Sequence, residues 1–194
     1  MVDDGTTDNR AQQLLVELPK AYCHLEVWRN SAHNLGILKT SGVRASQLRF
    51  GRGDWLSICD NDIYFRMGWL ERMIEIAEVS EPDGFRLWGG QNHPHHPKWP
   101  WKSWTKSDPD GYVNGLNECS TLAGTHMFMR WPTWDTFGPL VSDGPGIRMG
   151  ENASLCARVR ATGGRIGVAF PEVTVNCGAT ASARAEKLAG LVYE

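Results

Sequence analysis

Apolar and polar positions along this chain follow two periods that exchange repeatedly. From Asn9 to Lys20, Leu14, Leu15 and Leu18 form an apolar stripe at helical spacing; Asp8 or Asn9 can cap its start, and Pro19 places its end nearby. Tyr22 to Trp28 sets Leu25 and Val27 against His24 and Glu26, an alternation that predicts a strand. Asn34 to Phe50 predicts a helix entered through a glycine-rich turn, and Trp55 to Cys59, bounded by Gly53 and Asp60, predicts a short buried strand. Met67 to Glu78 is the clearest helix, with Trp69, Leu70, Met73, Ile74 and Ala77 on one face.

Phe85 to Trp88 predicts a strand closed by Gly89 and Gly90. Gly124 to Arg130 predicts another, followed by a short helix after Pro132. Glu151 to Thr162 reads as a helix with Leu155, Cys156 and Val159 inward, stopped by Gly163 and Gly164. Arg165 to Phe170 and Val173 to Cys177 read as strands, and Ala181 to Leu191 as a terminal helix. Residues 91–118 carry prolines, histidines, tryptophans and Gly111 without a clear period, and are expected to form a long loop. Strands and helices that alternate and then become irregular predict a single α/β domain over residues 1–194, with a mostly parallel sheet flanked by helices.

Composition narrows this picture. The 194 residues carry 20 Lys+Arg against 22 Asp+Glu, a net charge of −2, so bulk electrostatic binding of nucleic acid is not expected. No stretch approaches the ~20 apolar residues of a membrane span, and the acidic, polar start MVDDGTTDNR is neither a secretory signal nor a transit peptide. The five cysteines are widely spaced with no C-x-x-C, which suits free thiols in a reducing, cytoplasmic setting.

The chemistry concentrates in acidic loops. Asp60-Asn61-Asp62 leaves the end of a buried strand, where open α/β sheets place ligand sites. Two hard carboxylates at that spacing can hold Mg2+ or Mn2+, which in turn can bridge two phosphates; taken alone, the same residues also suit a solvated turn with Asp62 capping a helix. Val2-Asp3-Asp4-Gly5-Thr6-Thr7-Asp8 is a second acidic loop leading into a helix, suited to capping or to contacts with a base or ribose.

Asp3-Asp4-Gly5-Thr6-Thr7-Asp8-Asn9, Asn34-Leu35-Gly36, Gly53-Asp54-Trp55, Cys59-Asp60-Asn61-Asp62-Ile63 and Gly68-Trp69-Leu70 occur in one order. That order resembles nucleotide-sugar glycosyltransferases of the GT-A fold, and most closely family 2. Gly124 to Arg130, Gly150-Glu151-Asn152 with its helix, and Val173 to Gly178 extend the likeness over nearly the whole chain. The resemblance implies a Rossmann-like sheet and a nucleoside diphosphate sugar donor (UDP-, GDP- or dTDP-linked). It implies that Asp3 and Asp4 contact base and ribose, that Asp60 and Asp62 place Mn2+ or Mg2+ on the diphosphate with Asp62 the direct ligand, that Gly124 and His126 border the donor pocket, and that Glu151 and Asn152 stand near the acceptor hydroxyl.

Three departures from the family pattern matter. The family has a further strand upstream of the Asp-Asp-Gly loop, whereas this chain starts at Met1-Val2; a truncated reading or a neighbouring subunit that completes the sheet accounts for it, and a homo-oligomer is one expectation. Inverting members usually carry Glu-Asp where this chain has Glu151-Asn152, and Asn cannot take a proton; Gly150-Glu151-Asn152 is also similar to retaining N-acetylgalactosaminyltransferases. Asn176 stands where many such enzymes offer a metal-ligating His, and its carbonyl oxygen can serve instead.

Trp99, Trp101 and Trp104, interleaved with Lys98, Lys102 and Lys106, suit either an acceptor surface or packing over the sheet edge. The acceptor itself (glycan, protein, small molecule or modified DNA base) is not legible. Asn92-His93-Pro94-His95-His96-Pro97 suits a polar loop better than a zinc site, since no Cys or carboxylate pattern accompanies it. A metal-dependent transferase is the leading reading. A degenerate domain that binds sugar nucleotide or glycan without turnover is the alternative, favoured by the missing strand and the two Asn substitutions.

Overall fold

A computed structural model describes residues 1–30, 34–90, 102–107, 113–122, 124–141, 150–171 and 173–176. Helix α1 (Asn9–Ala21) starts where Asp8 accepts a hydrogen bond from the Ala11 amide, as the sequence suggests. It lies between two short parallel strands, β1 (Val2–Asp3) and β2 (Trp28–Arg29). The alternation over Tyr22–Trp28 therefore yields far less strand than expected, with regular pairing only from Trp28 on. Helix α2 (Leu35–Phe50) is capped by Asn34, and β3 (Trp55–Cys59) follows as the sequence predicts.

The central sheet has six strands in the order β3, β8 (His126–Arg130), β5 (Phe85–Gly89), β9 (Arg165–Phe170), β7 (Val113–Glu118) and β6 (Lys102–Ser107). Within it only β5 and β9 run parallel; every other neighbouring pair is antiparallel. The expected α/β domain with a mixed sheet flanked by helices stands, but its mostly parallel character is corrected. Strand β8 runs antiparallel between β3 and β5, and a hairpin occupies the far edge.

That hairpin also corrects the expected loop over 91–118, of which 102–107 and 113–118 are strands. Lys102, Trp104 and Lys106 alternate with Ser103, Thr105 and Ser107, a period of two masked by prolines and glycine on either side. The strand expected over Val173–Cys177 is β10 (Thr174–Asn176), which pairs antiparallel with β4 (Ile63–Phe65), a strand too short to be legible in the sequence. The expected terminal helix over Ala181–Leu191 lies outside the described residues, as do Trp99, Trp101 and the histidines of 93–96.

Each face of the sheet buries its own core. Met127 and Met129 of β8 pack with Leu56 and Ile58 of β3, Val43 of α2, Trp131 and Trp134 of α4 (Trp131–Phe137), and Leu155, Cys156 and Val159 of α5 (Glu151–Ala161). Phe128, between the two methionines, points the other way to Trp88, Phe85 and to Met73, Ile76 and Ala77 of α3 (Trp69–Ser80). Alternation along one strand thus feeds two layers of helices. A register shift between Phe85 and Leu87 explains how Phe85 and Trp88 share a core while Leu87 joins the opposite one.

The α3 layer is pinned by one polar contact. The fully buried Trp88 indole donates to Ser80 Oγ at 2.9 Å, and Ser80 in turn donates to Ile76 O at 2.7 Å. Ser80→Ala should strand the indole N–H and cost about 1–3 kcal/mol, and Trp88→Ala should cost about 3–5 kcal/mol. Urea unfolding reads both; a Ser80→Ala midpoint equal to the parent's would show that the indole finds another acceptor.

Candidate active site

Asp60 follows the last residue of β3, and its amide donates to Thr125 O at 2.9 Å, fixing this strand end to the segment that enters β8. Gly124, next to Thr125, turns its carbonyl to the ammonium of Lys39, 2.6 Å away. The same Lys39 Nζ lies 2.9 Å from Asp60 Oδ1 and 3.3 Å from Glu151 Oε1. Segments distant in sequence therefore meet at one nitrogen. The Lys39 side chain is 6% exposed and that of Glu151 3%, whereas Asp60 keeps 28%. One ammonium between two carboxylates leaves the cluster with a surplus of negative charge on the side of Asp60.

The frame around this cluster is tied by backbone contacts. Lys39 is carried on α2, whose next residue, Thr40, accepts from Leu140 N at 3.1 Å through its hydroxyl. Arg158 of α5 donates to Phe137 O and Pro139 O, each at 2.7 Å, so α5 and α2 grip the same 137–140 segment. Asn152 donates its amide to Leu122 O, and Leu122 N donates to Cys156 Sγ at 3.4 Å. A Cβ at Gly124 would stand 3.0 Å from Glu151 Oε1, close enough that the carboxylate would have to give by a few tenths of an ångström, and 3.5 Å from Lys39 Nζ, an ordinary contact.

Asp62 lies one turn residue beyond Asp60, at the start of β4. Its Oδ1 is buried and has no hydrogen-bond partner among the described residues. A buried carboxylate oxygen left in that state is costly unless something positive meets it, which is the condition a cation would satisfy. Asn176 pairs in register with Ile63 on β10, beside Asp62 along the backbone. Among the described residues no group of three His, Cys, Asp or Glu converges for a metal. The carboxylate oxygens of Asp60 and Asp62 are of the hard type that Mg2+ and Mn2+ take.

Asp3 and Asp4 part company. Asp3 is buried in β1; its Oδ1 accepts from Thr6 N at 3.0 Å and its Oδ2 lies 3.8 Å from Arg29 Nε. The hydrogen bonds from Thr6, aided by Arg29, hold the Asp3 carboxyl below the usual carboxylate range. Gly5, at φ 79°, closes this turn in a conformation side chains resist, and Asp4 stands exposed beside it.

His126 is buried at the start of β8. It is 1% exposed, hydrogen-bonded through Nε2 to Ser57 Oγ at 3.0 Å and flanked edge-on by the Phe65 and Trp69 rings. Its Nδ1 is buried with no hydrogen-bond partner among the described residues. Burial pushes the Cys119 thiol up to about 12 and that of Cys156 up to about 11, so neither of these two is poised as a nucleophile. Lys39 is the site residue that sequence reasoning missed. Its signal was present: Gly36 and Val43, three residues before it and four after, are buried on the same face of α2.

The mixed sheet flanked by helices is that of the GT-A class of glycosyltransferases. The glycosyl transferase family 2 model matches residues 1–130, and the chain belongs to that family. No curated protein sequence matches it. The matched stretch contains Lys39, Asp60, Asp62 and Gly124 but ends before Glu151 and Asn152, whose place in the site rests on the contacts described above. Among the described residues no helix is long and apolar enough to cross a membrane.

Burial lowers the His126 imidazole to about 4 from 6.5. The unfolded chain therefore binds the proton first as pH falls, so stability is full above 6.5 and is lost as pH drops toward about 4, by roughly 3 kcal/mol. His126→Gln should flatten this part of the stability profile, measured by denaturant unfolding across the window. Equal slopes for parent and variant would mean that the imidazole is hydrated in the folded state.

Proposed function

We propose that this chain transfers a sugar from a nucleoside diphosphate sugar to an acceptor hydroxyl, with Mn2+ or Mg2+ on the diphosphate. The observation that carries this reading is the meeting of Asp60, Gly124 and Glu151 at Lys39, next to the buried, unpartnered Asp62 Oδ1. Asp62 would supply the direct metal ligand, with Asp60 beside it and Asn176 on the adjoining strand. The ion's chemistry would be to neutralise charge gathering on the departing diphosphate. Asp4, exposed at the Asp-Asp-Gly turn, is the group we assign to the nucleoside, while buried Asp3 shapes that turn.

Glu151 is the base we assign for the acceptor hydroxyl. A carboxylate there meets positive charge from Lys39 and from the start of α5, whose first residue it is. Lys39 lies 3.3 Å from its Oε1. Asn152 spends its amide on Leu122 O, so we assign it to holding the 122–124 segment rather than to proton transfer. That same occupation favours, as a second reading, a domain that binds sugar nucleotide without turnover. The acceptor stays open between glycan, protein, small molecule and modified DNA base, with β6, which carries Lys102, Trp104 and Lys106, as its candidate edge. Exposed free thiols at Cys23 and Cys59 suit the cytoplasm.

Calorimetry with UDP, GDP and dTDP tests the donor half. One nucleotide should bind more tightly with Mn2+ than with chelator, and Asp62→Asn should abolish that difference while changing stability by less than about 1 kcal/mol. Equal affinity with chelator would sink the metal assignment. Glu151→Gln should lower donor hydrolysis or transfer by ~10²-fold or more with little change in nucleotide affinity. Product anomer by NMR decides the rest: an inverted linkage supports the base role, and a retained one excludes it.

A further inference from the structure

Lys39 does more than pair one acid. Among the described residues its nitrogen is met by three oxygens: a carbonyl at 2.6 Å from Gly124, a carboxylate oxygen at 2.9 Å from Asp60 and another at 3.3 Å from Glu151. Oxygen-only coordination with two negative charges is what Mg2+ and Mn2+ select. Lysine is a strongly hydrated point charge, and a flexible stem loses entropy when held in one place. An ammonium buried to 6% exposure at this position thus occupies a seat that is chemically suited to a divalent ion.

We propose that Lys39 is a built-in cation that fills this seat and keeps it closed to divalent metal, so that the two aspartates of Asp60-Asn61-Asp62 divide their work. Asp60 is turned toward Lys39 and Glu151. Asp62, whose buried Oδ1 has no partner among the described residues, is left to face an incoming metal–diphosphate. Lys39 is then a positioning residue that links a donor-side carboxylate to an acceptor-side one. Gly124 belongs to the device through its carbonyl, and a side chain there would press on Glu151. The proposal rests on the transferase reading for the role of Asp62, and its readout is metal binding rather than turnover.

The test titrates Mn2+ alone into the full chain, without nucleotide, followed by electron paramagnetic resonance and calorimetry. Lys39→Met removes the ammonium and keeps the stem. It should gain one Mn2+ site at least about tenfold tighter than any in the parent, and Lys39→Met/Glu151→Gln should lose that gain. Lys39→Arg should behave as the parent does. The melting temperature of Lys39→Met should rise with Mn2+ while the parent's does not. Should Lys39→Met fail to fold in chelator, recovery of a folded, Mn2+-bound chain on adding the ion supports the seat. Failure to fold with Mn2+ as well passes the decision to Lys39→Gln, which keeps two amide donors. No gained Mn2+ site in a folded variant, or a gain that survives Glu151→Gln, overturns the proposal. Parallel donor hydrolysis by the parent separates this failure from failure of the transferase reading, since a closed seat is compatible with either result.

Discussion

An ammonium withdrawn from water has to be met by oxygen on every side, and at Lys39 that demand gathers the end of β3, the segment entering β8 and the first residue of α5. Buried ion pairs are poor sources of stability, because desolvation offsets most of the attraction, but removing one partner is severe. The arrangement therefore reads as a device for position. The surrounding contacts agree: Thr40 on Leu140, Arg158 on Phe137 and Pro139, and Asn152 on Leu122 all restrain the backbones that must present those oxygens. Each contact brings a helix to a loop, and none would be needed merely to close an apolar core.

The sheet supplies the rigidity that such a cluster requires. Strand β8 lies between β3 and β5, its methionines in one core and Phe128 in the other, so it is clamped from both faces. His126 sits at its entrance, opposite Cys59 in register, and its burial among Phe65 and Trp69 anchors the point where the acidic loop departs. Asp60 thus leaves from the end of a strand whose neighbour is clamped on both faces.

Much of this was legible because acidic residues at strand and helix ends announce themselves. Asp60, Asp62 and Glu151 stand beside turns where a carboxylate has no packing role to hide behind. Lys39 did not, since a lysine inside a helix usually marks the solvated face; only the burial of Gly36 and Val43 around it shows otherwise. The sheet's direction was misjudged for a related reason. Alternating strands and helices suggest parallel crossovers, but β8 follows β5 by way of a hairpin and runs back against it. The hairpin itself escaped notice because Trp, Lys, Ser and Thr at period two carry no apolar stripe.

The two aspartates of one short motif show how little spacing alone decides. Asp60 and Asp62 are chemically identical and separated by one residue, yet one carboxylate is engaged by an ammonium and the other has a buried oxygen with no partner among the described residues. The difference comes from a helix some twenty residues upstream and from a glutamate some ninety residues downstream, beyond the stretch that defines family membership. A motif fixes which ligands are near a diphosphate. Which of them remains open to a cation is fixed by what already neutralises its neighbours. In this chain that neutralising charge also touches Glu151, so any shift of Asp60 away from Lys39 changes the field at Glu151. The two carboxylates are coupled through one nitrogen, without requiring the backbone to move.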